Sequence, residues 1–250
     1  MPFVKQTSGI SLKLARVCVQ ASADAYEHVT FESELAHVLV GNAECGMGSG
    51  KATELSLRGS ANTPDWLTDL RAGWTETPCG RVHIGFWCSV DSIFHQVVEV
   101  VKPEPQQPII IDGHSKGGGE SVILALRLAR MGFPIMAVHT FGGPRVADAA
   151  WKAAYNAQSC NLDDLTLGDV TYRWVHEEDI VPRIPPWISG RRHVGHECFM
   201  SSLGGVELDP PIWRLAASDI LGTFWGYRLG RIEQVADHPV AKYREHLEKL

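Results

Sequence analysis

Residues 109–121 read "IIIDGHSKGGGES", a run of apolar β-formers that breaks into glycine and sets one serine, Ser115, among small residues. Gly113-His114-Ser115-Lys116-Gly117 fits G-x-S-x-G, the sharp strand-to-helix turn that lifts a nucleophilic serine above a sheet. Gly113 and Gly117, backed by Gly118, permit a strained turn with close helix–strand packing. Residues 115–132 carry a helical pattern that stops at Gly132. The first N–H groups and the positive dipole end of that helix would then sit beside Ser115, which suits an oxyanion.

Working outward, "HVLVGN" (37–42) is strand-like, and "ATELSLRG" (52–59) is strand-like with an alternating pattern. Residues 11–29 form an amphipathic helical pattern through Leu12, Ala15, Val19 and Tyr26, and 85–101 have helical periodicity before the Pro-rich "KPEPQQP". "IMAVHTFGG" and "VTYRWVHEED" each read as a strand running into a loop, with the helical "RVADAAWKAAYNA" between them. Strands alternating with helices predict an α/β fold: a mainly parallel central sheet with helices on both faces, in one domain over 1–250. Functional groups in such sheets collect at the carboxyl ends of strands. Ser115, the loop after Val175 and the loop after Leu57 are expected to converge there.

A serine hydroxyl needs a base and an acid. After Ser115 the next acids at a strand end are Glu177, Glu178 and Asp179 in "WVHEEDIVPRIPP". Asp179 precedes Ile180-Val181-Pro182, where the chain turns inward, and is the expected buried acid; its task is to orient and stabilise an imidazolium. Of the eleven histidines, His193, His196, His238 and His246 follow it. His238 lies in Asp237-His238-Pro239, a loop just before a helix, and has the best context for a base; His193 is the alternative. Lys116 opposes the dipole of its helix, and Glu120 four residues on can offset it. A solvated lysine that contributes only its backbone N–H is the expectation.

The 250 residues are 44% hydrophobic and 21% charged, with a net charge of −6, and no basic run is available to neutralise phosphates. Nucleic acid is therefore not an expected partner. No apolar run approaches a membrane span and no leader pattern opens the chain, so a cytoplasmic location is the default. The six cysteines lack metal-like or redox spacing and are expected as free thiols. His193, His196 and Cys198 lie close in sequence but would need a fourth ligand for zinc, and no metal or organic cofactor is expected. "CGMGSGKAT" (45–53) imitates a phosphate-binding loop, yet Cys45 and Ala52 stand where its first glycine and its Ser or Thr should be.

Beyond the single turn, "LSLRGSANTPDWLTDL" (55–70), "VHIGFWCSV" (82–90), "GHSKGGGES" (113–121), "HTFGGPRVAD" (139–148), "HEEDIVPRIPP" (176–186) and "HVGHE" (193–197) occur in order. Together they resemble the class 3 lipase family, which includes the fungal triacylglycerol lipases, over residues 36 to 200 and more faintly in "DHPVAKYREHL". The resemblance implies an α/β-hydrolase fold, with Ser115 as nucleophile, Asp179 as acid and His238 as base. It implies an oxyanion hole from Ser60 and the Lys116 N–H, and a lid over 61–70 with Trp66 and Leu67 on its apolar face. His193 matches a recurring position near the site that is not the base. The chain departs from the family at Lys116, where an apolar residue is commoner, and in Asp65, Asp69 and Arg71 of the lid stretch. Residues 206–230 match no motif of the family and could form a cap.

The expected activity is cleavage of carboxylic esters, small-molecule or lipid, through an acyl-enzyme, with transient contact to a lipid interface. A phospholipase or an acyltransferase would use the same triad. A non-catalytic binding protein on a hydrolase scaffold is the remaining alternative.

Overall fold

The computed structural model describes residues 11–44, 51–59, 73–177, 179–201, 204–211 and 240–250. Ser60, the stretch 61–70, Glu178, His238 and all but the first residues of 206–230 lie outside these. No described helix is long and apolar enough to cross a membrane.

Ten strands and five helices are described. They are α1 (Leu12–Asp24), β1 (Phe31–Glu32), β2 (His37–Glu44), β3 (Lys51–Leu57), β4 (Trp74–Thr77), β5 (Gly80–His83), α2 (Ile84–Val101), β6 (Ile109–His114), α3 (Lys116–Arg130), β7 (Ile135–Phe141), α4 (Ala149–Ala157), β8 (Thr171–His176), β9 (His196–Met200), β10 (Val206–Leu208) and α5 (Val240–Glu248). Eight strands form the central sheet in the order β1-β2-β3-β6-β7-β8-β9-β10, while β4 and β5 make a separate hairpin. The run β3-β6-β7-β8-β9 is parallel, and antiparallel pairs close both edges. The sheet is thus mainly parallel, as the alternation of elements predicts, and the architecture is the α/β-hydrolase fold that the family resemblance implies.

Both faces of the sheet are covered, which is why β6 is buried at all six positions. Side chains alternate along a strand. Ile109 and Ile111 enter one core with Val90 and Ile93 of α2 and Val122 of α3, and Ile110 enters the other with Ala15, Cys18 and Val19 of α1 and Leu247 of α5. Ser11 caps α1 by accepting from the Leu14 N–H at 3.2 Å, and the helix stops at Asp24, short of the predicted residue 29.

The alternating stretch 52–59 forms β3, an interior strand whose polar members Glu54 and Ser56 are buried with its apolar ones. The phosphate-loop imitation fails topologically as well, since Lys51 opens a strand that pairs antiparallel with Glu44 and no helix follows it. Of residues 206–230, Val206–Leu208 form the edge strand β10 against β9.

Candidate active site

The turn after β6 explains its own glycines. A Cβ on Gly117 would stand 2.0 Å from the Leu57 carbonyl oxygen, and one on Gly113 would stand 2.5 Å from the Gly117 backbone. Helix α3 can therefore begin against the ends of β3 and β6 only without side chains at these two positions. Between them Ser115 takes φ 58°, ψ −123°, a left-handed conformation that costs a non-glycine residue ~1–3 kcal/mol. The Ser115 N–H donates to the Phe141 carbonyl at 2.9 Å, and its own carbonyl accepts from Gly118 at 3.0 Å, so neighbouring backbone fixes the strain. Among the described residues the Lys116 N–H meets no acceptor, as expected of a first-turn donor.

Asp179 lies three residues beyond β8, at the same edge as Ser115. Only β7 separates β6 from β8, which sets their ends about 10 Å apart, a gap one imidazole can bridge. The Asp179 carboxylate is 9% exposed and accepts from the Val181 N–H at 2.9 Å and from the Tyr243 hydroxyl. Tyr243, fully buried in α5, also accepts from the His176 N–H at 3.2 Å. Burial and the Asp179 charge hold its phenol well above the usual range, so it acts as a donor. Motif reading missed Tyr243; the faint similarity of "DHPVAKYREHL" is the one signal that could have found it.

The predicted residues meet different fates. Ser115, Lys116 and Asp179 share the carboxyl edge of the sheet, whereas Ser60 and His238 lie outside the described residues. Gly59, just before Ser60, is wedged where a Cβ would stand 2.2 Å from Tyr26 Oη and 2.9 Å from the His114 carbonyl. His238 is two residues upstream of α5, the helix whose Tyr243 holds Asp179. His193, the alternative base, is half-buried and spends Nε2 as a donor to the Pro182 carbonyl at 2.7 Å. Burial and the nearby Arg173 and Arg145 cations press it well below the usual histidine range. His196 turns instead to Asp209 at 2.6 Å.

Lys116 corrects the expectation of a solvated side chain. Its ammonium donates to the Leu35 carbonyl at 2.6 Å and to Ser89 Oγ at 2.9 Å, and pairs with Glu120, which is fully buried. Only 18% of the lysine side chain is exposed. Desolvation still raises the Glu120 carboxyl, and Lys116 works against that rise. The cation is spent on the scaffold, as Glu120 at i+4 suggested, and the backbone N–H is what remains for chemistry.

On the α1 side of β6 lies a cluster the sequence did not announce. Asp112 accepts from the Ser22 hydroxyl and, at 2.9 Å, from that of Ser56, its register partner on β3. Ligand atoms of Cys18, Glu54 and Asp112 lie within 4.8 Å of one another. Burial raises the Asp112 and Cys18 groups well above their usual ranges and Glu54 to about 7, with Asp24 adding to the last. Three ionised donors would leave net negative charge in the interior even around a divalent cation, whereas protonation leaves none. The five described cysteines are free thiols.

Comparison with known proteins follows the same edge of the sheet. The profile of the family described as Lipase (class 3) matches residues 54–189, more than half of the chain. "Secreted mono- and diacylglycerol lipase 1" of Fusarium solani is 29% identical over 189 residues, 70% of this chain and 53% of that protein. The chain spans about half the length of the curated relatives it matches. Among solved structures, a Rhizomucor miehei lipase–propeptide complex superposes with a TM-score of 0.62 at 22% identity, covering 77% of this chain and 67% of that one. A mono- and diacylglycerol lipase from Aspergillus oryzae does so at 0.62 and 17%, covering 81% and 87%.

Proposed function

The chain belongs to the class 3 lipases, and from that premise we propose that it is a serine hydrolase of carboxylic esters. The carrying observation is Ser115, held at φ 58° between a buried strand and a helix N-terminus, with Asp179 at the same sheet edge. A strained nucleophile position of this kind is retained at a cost to stability, and a catalytic use accounts for that cost.

In the proposed reaction His238 takes the proton of Ser115 as its Oγ adds to the ester carbonyl carbon. The developing oxyanion is held by the Lys116 N–H and by Ser60; losing one such donor commonly slows turnover ~100–1000-fold. His238 then protonates the leaving alcohol as the C–O bond breaks. Water, activated by the same imidazole, releases the acid and restores Ser115. Asp179, steadied by Tyr243, orients the imidazole and stabilises its charged form. The position of Tyr243 in the helix that follows His238 supports that histidine over His193, whose Nε2 is engaged by Pro182. No step calls for a metal or organic cofactor.

The substrate proposed is a lipid or small-molecule ester, in keeping with the mono- and diacylglycerol lipases among the relatives. Secretion, as in the names of the Fusarium and Penicillium relatives, is favoured over the cytoplasmic default. Initial rates on p-nitrophenyl esters from acetate to palmitate, with Ser115→Ala alongside, test the reading. Activity that disappears in the variant supports it, and the chain-length optimum separates esterase from lipase. Turnover unchanged by Ser115→Ala contradicts it.

A further inference from the structure

The two most exposed large hydrophobic side chains among the described residues are neighbours in sequence: Trp187, 58% exposed, and Ile188, 79%. They sit on one short 3-10 turn, Trp187–Ser189, which follows Pro185-Pro186 and is closed by Gly190. We infer that this turn, with Arg192 beside it, is a docking surface for an anionic lipid membrane or droplet. The inference deepens the ester-hydrolase reading, on which it rests, by naming the face that would meet a lipid substrate.

Three observations carry it. First, the turn is built to present these side chains. The Ser189 N–H donates to the Pro186 carbonyl at 2.9 Å and the Gly190 N–H to that of Trp187 at 3.1 Å. Arg192 Nη1 donates to the Trp187 carbonyl at 2.7 Å and Arg145 Nη1 to that of Pro185 at 3.0 Å. A turn held this way loses little conformational freedom on docking. Isolated exposed apolar residues are ordinary, but an adjacent Trp–Ile pair on a braced turn is a patch.

Second, the charge around it opposes that of the whole chain. The protein carries −6, yet residues 180–195, "IVPRIPPWISGRRHVG", contain Arg183, Arg191 and Arg192 and no acid. Arg192 meets no carboxylate among the described residues. The Trp74 ring flanks Gly190, with the Arg191 and Arg81 guanidinium groups over it at 4.3 and 5.0 Å. Of the described acids here, Asp148 is engaged by Arg81 at 3.2 Å, and Glu76 faces the same Arg81 as its register partner in the hairpin. Arg191, 7% exposed, packs against Trp74; the two indole rings with Arg192 and Arg81 beside a protruding aliphatic side chain suit the boundary between acyl chains and lipid phosphates.

Third, the segment is tied to the catalytic edge. Arg183 donates to the Glu177 carbonyl, and His193 holds the Pro182 carbonyl at 2.7 Å. Those contacts bracket the stretch that carries Asp179, so Trp187 and Ile188 follow the proposed acid by eight and nine residues of braced chain.

The test uses the full chain carrying Ser115→Ala, so that the lipid is not consumed, in co-sedimentation with vesicles of phosphatidylcholine alone or mixed with phosphatidylglycerol. Stronger binding to the anionic vesicles is expected, falling about tenfold in Trp187→Ala/Ile188→Ser. Arg192→Gln should weaken binding to the anionic vesicles alone and flatten its salt dependence. Thermal unfolding midpoints of the variants, expected to match the parent, check that the fold is kept. The inference is overturned if the double variant binds as the parent does, or if the parent binds neither vesicle. Self-association of the parent that the double variant loses would overturn it too, in favour of a second copy. Because binding is read on an inactive protein, docking can fail while Ser115-dependent hydrolysis stands, and the reverse.

Discussion

On one side of β6, Lys116 and Glu120 meet as opposite charges; on the other, Glu54 and Asp112 meet as like ones. Both pairs are buried beneath the turn that carries Ser115. Beside α2 the buried carboxylate is matched by an ammonium, with Ser89 between them. Beneath α1 no cation is supplied among the described residues: Asp112 receives two serine hydroxyls, and the Glu54 Oε1 meets no hydrogen-bond partner there. One sheet therefore pays for buried polarity in two currencies, ion pairing and protonation. The first ties the start of α3 to α2 and to the Leu35 segment. The second leaves the α1 face sensitive to pH.

That contrast breaks most visibly if one ion is removed. Glu120→Ala strands the Lys116 ammonium, and a loss of roughly 3–5 kcal/mol is expected in denaturant unfolding. Asp112→Asn relieves two adjacent buried acids and keeps an oxygen to accept from Ser22 and Ser56, so it should cost no more than about 1 kcal/mol. Equal losses in the two variants would erase the distinction.

The pH dependence sharpens it. An unfolded glutamate ionises near the ordinary 4.5, whereas Glu54 in the folded protein titrates at about 7 beside Asp112 and Asp24. Between those values the folded state holds the extra proton. The stability linked to Glu54 is full below the lower value and is lost as pH rises through the upper one, by at most about 3 kcal/mol. Unfolding midpoints across that range should fall with rising pH in the wild type and fall less in Glu54→Gln.

Tyr243 stands where the α1 face meets the catalytic edge, its ring against His114 and its hydroxyl on Asp179. Removing a hydrogen bond to a charged group costs ~1.5–3 kcal/mol. Tyr243→Phe should therefore lower kcat about tenfold or more with KM little changed, as befits a residue that acts through Asp179. A change confined to KM would instead assign Tyr243 to substrate binding.

The elbow was legible because its chemistry is local: a turn that needs glycine at 113 and 117 and a helix N-terminus behind it must show both in sequence. The parallel sheet was legible from the strand–helix alternation, and the burial of Asp179 at the sheet edge from its place after β8. Tyr243 could not be read, because its role depends on α5 docking beside a strand more than sixty residues earlier. The burial of Glu54 could not be read for a related reason: nothing in 52–59 says that α1 will cover that face of the strand. Lys116 was half legible: Glu120 at i+4 was visible, but Leu35 and Ser89, which take the lysine out of solvent, come from distant segments.

The central claim is that Ser115 is an activated nucleophile. Incubation with a fluorophosphonate probe, followed by peptide mass spectrometry, measures this directly. The account predicts one adduct, on the peptide containing Ser115, formed by the folded protein and absent from Ser115→Ala. An adduct that persists in Ser115→Ala, or a folded wild type that takes no label, would contradict it.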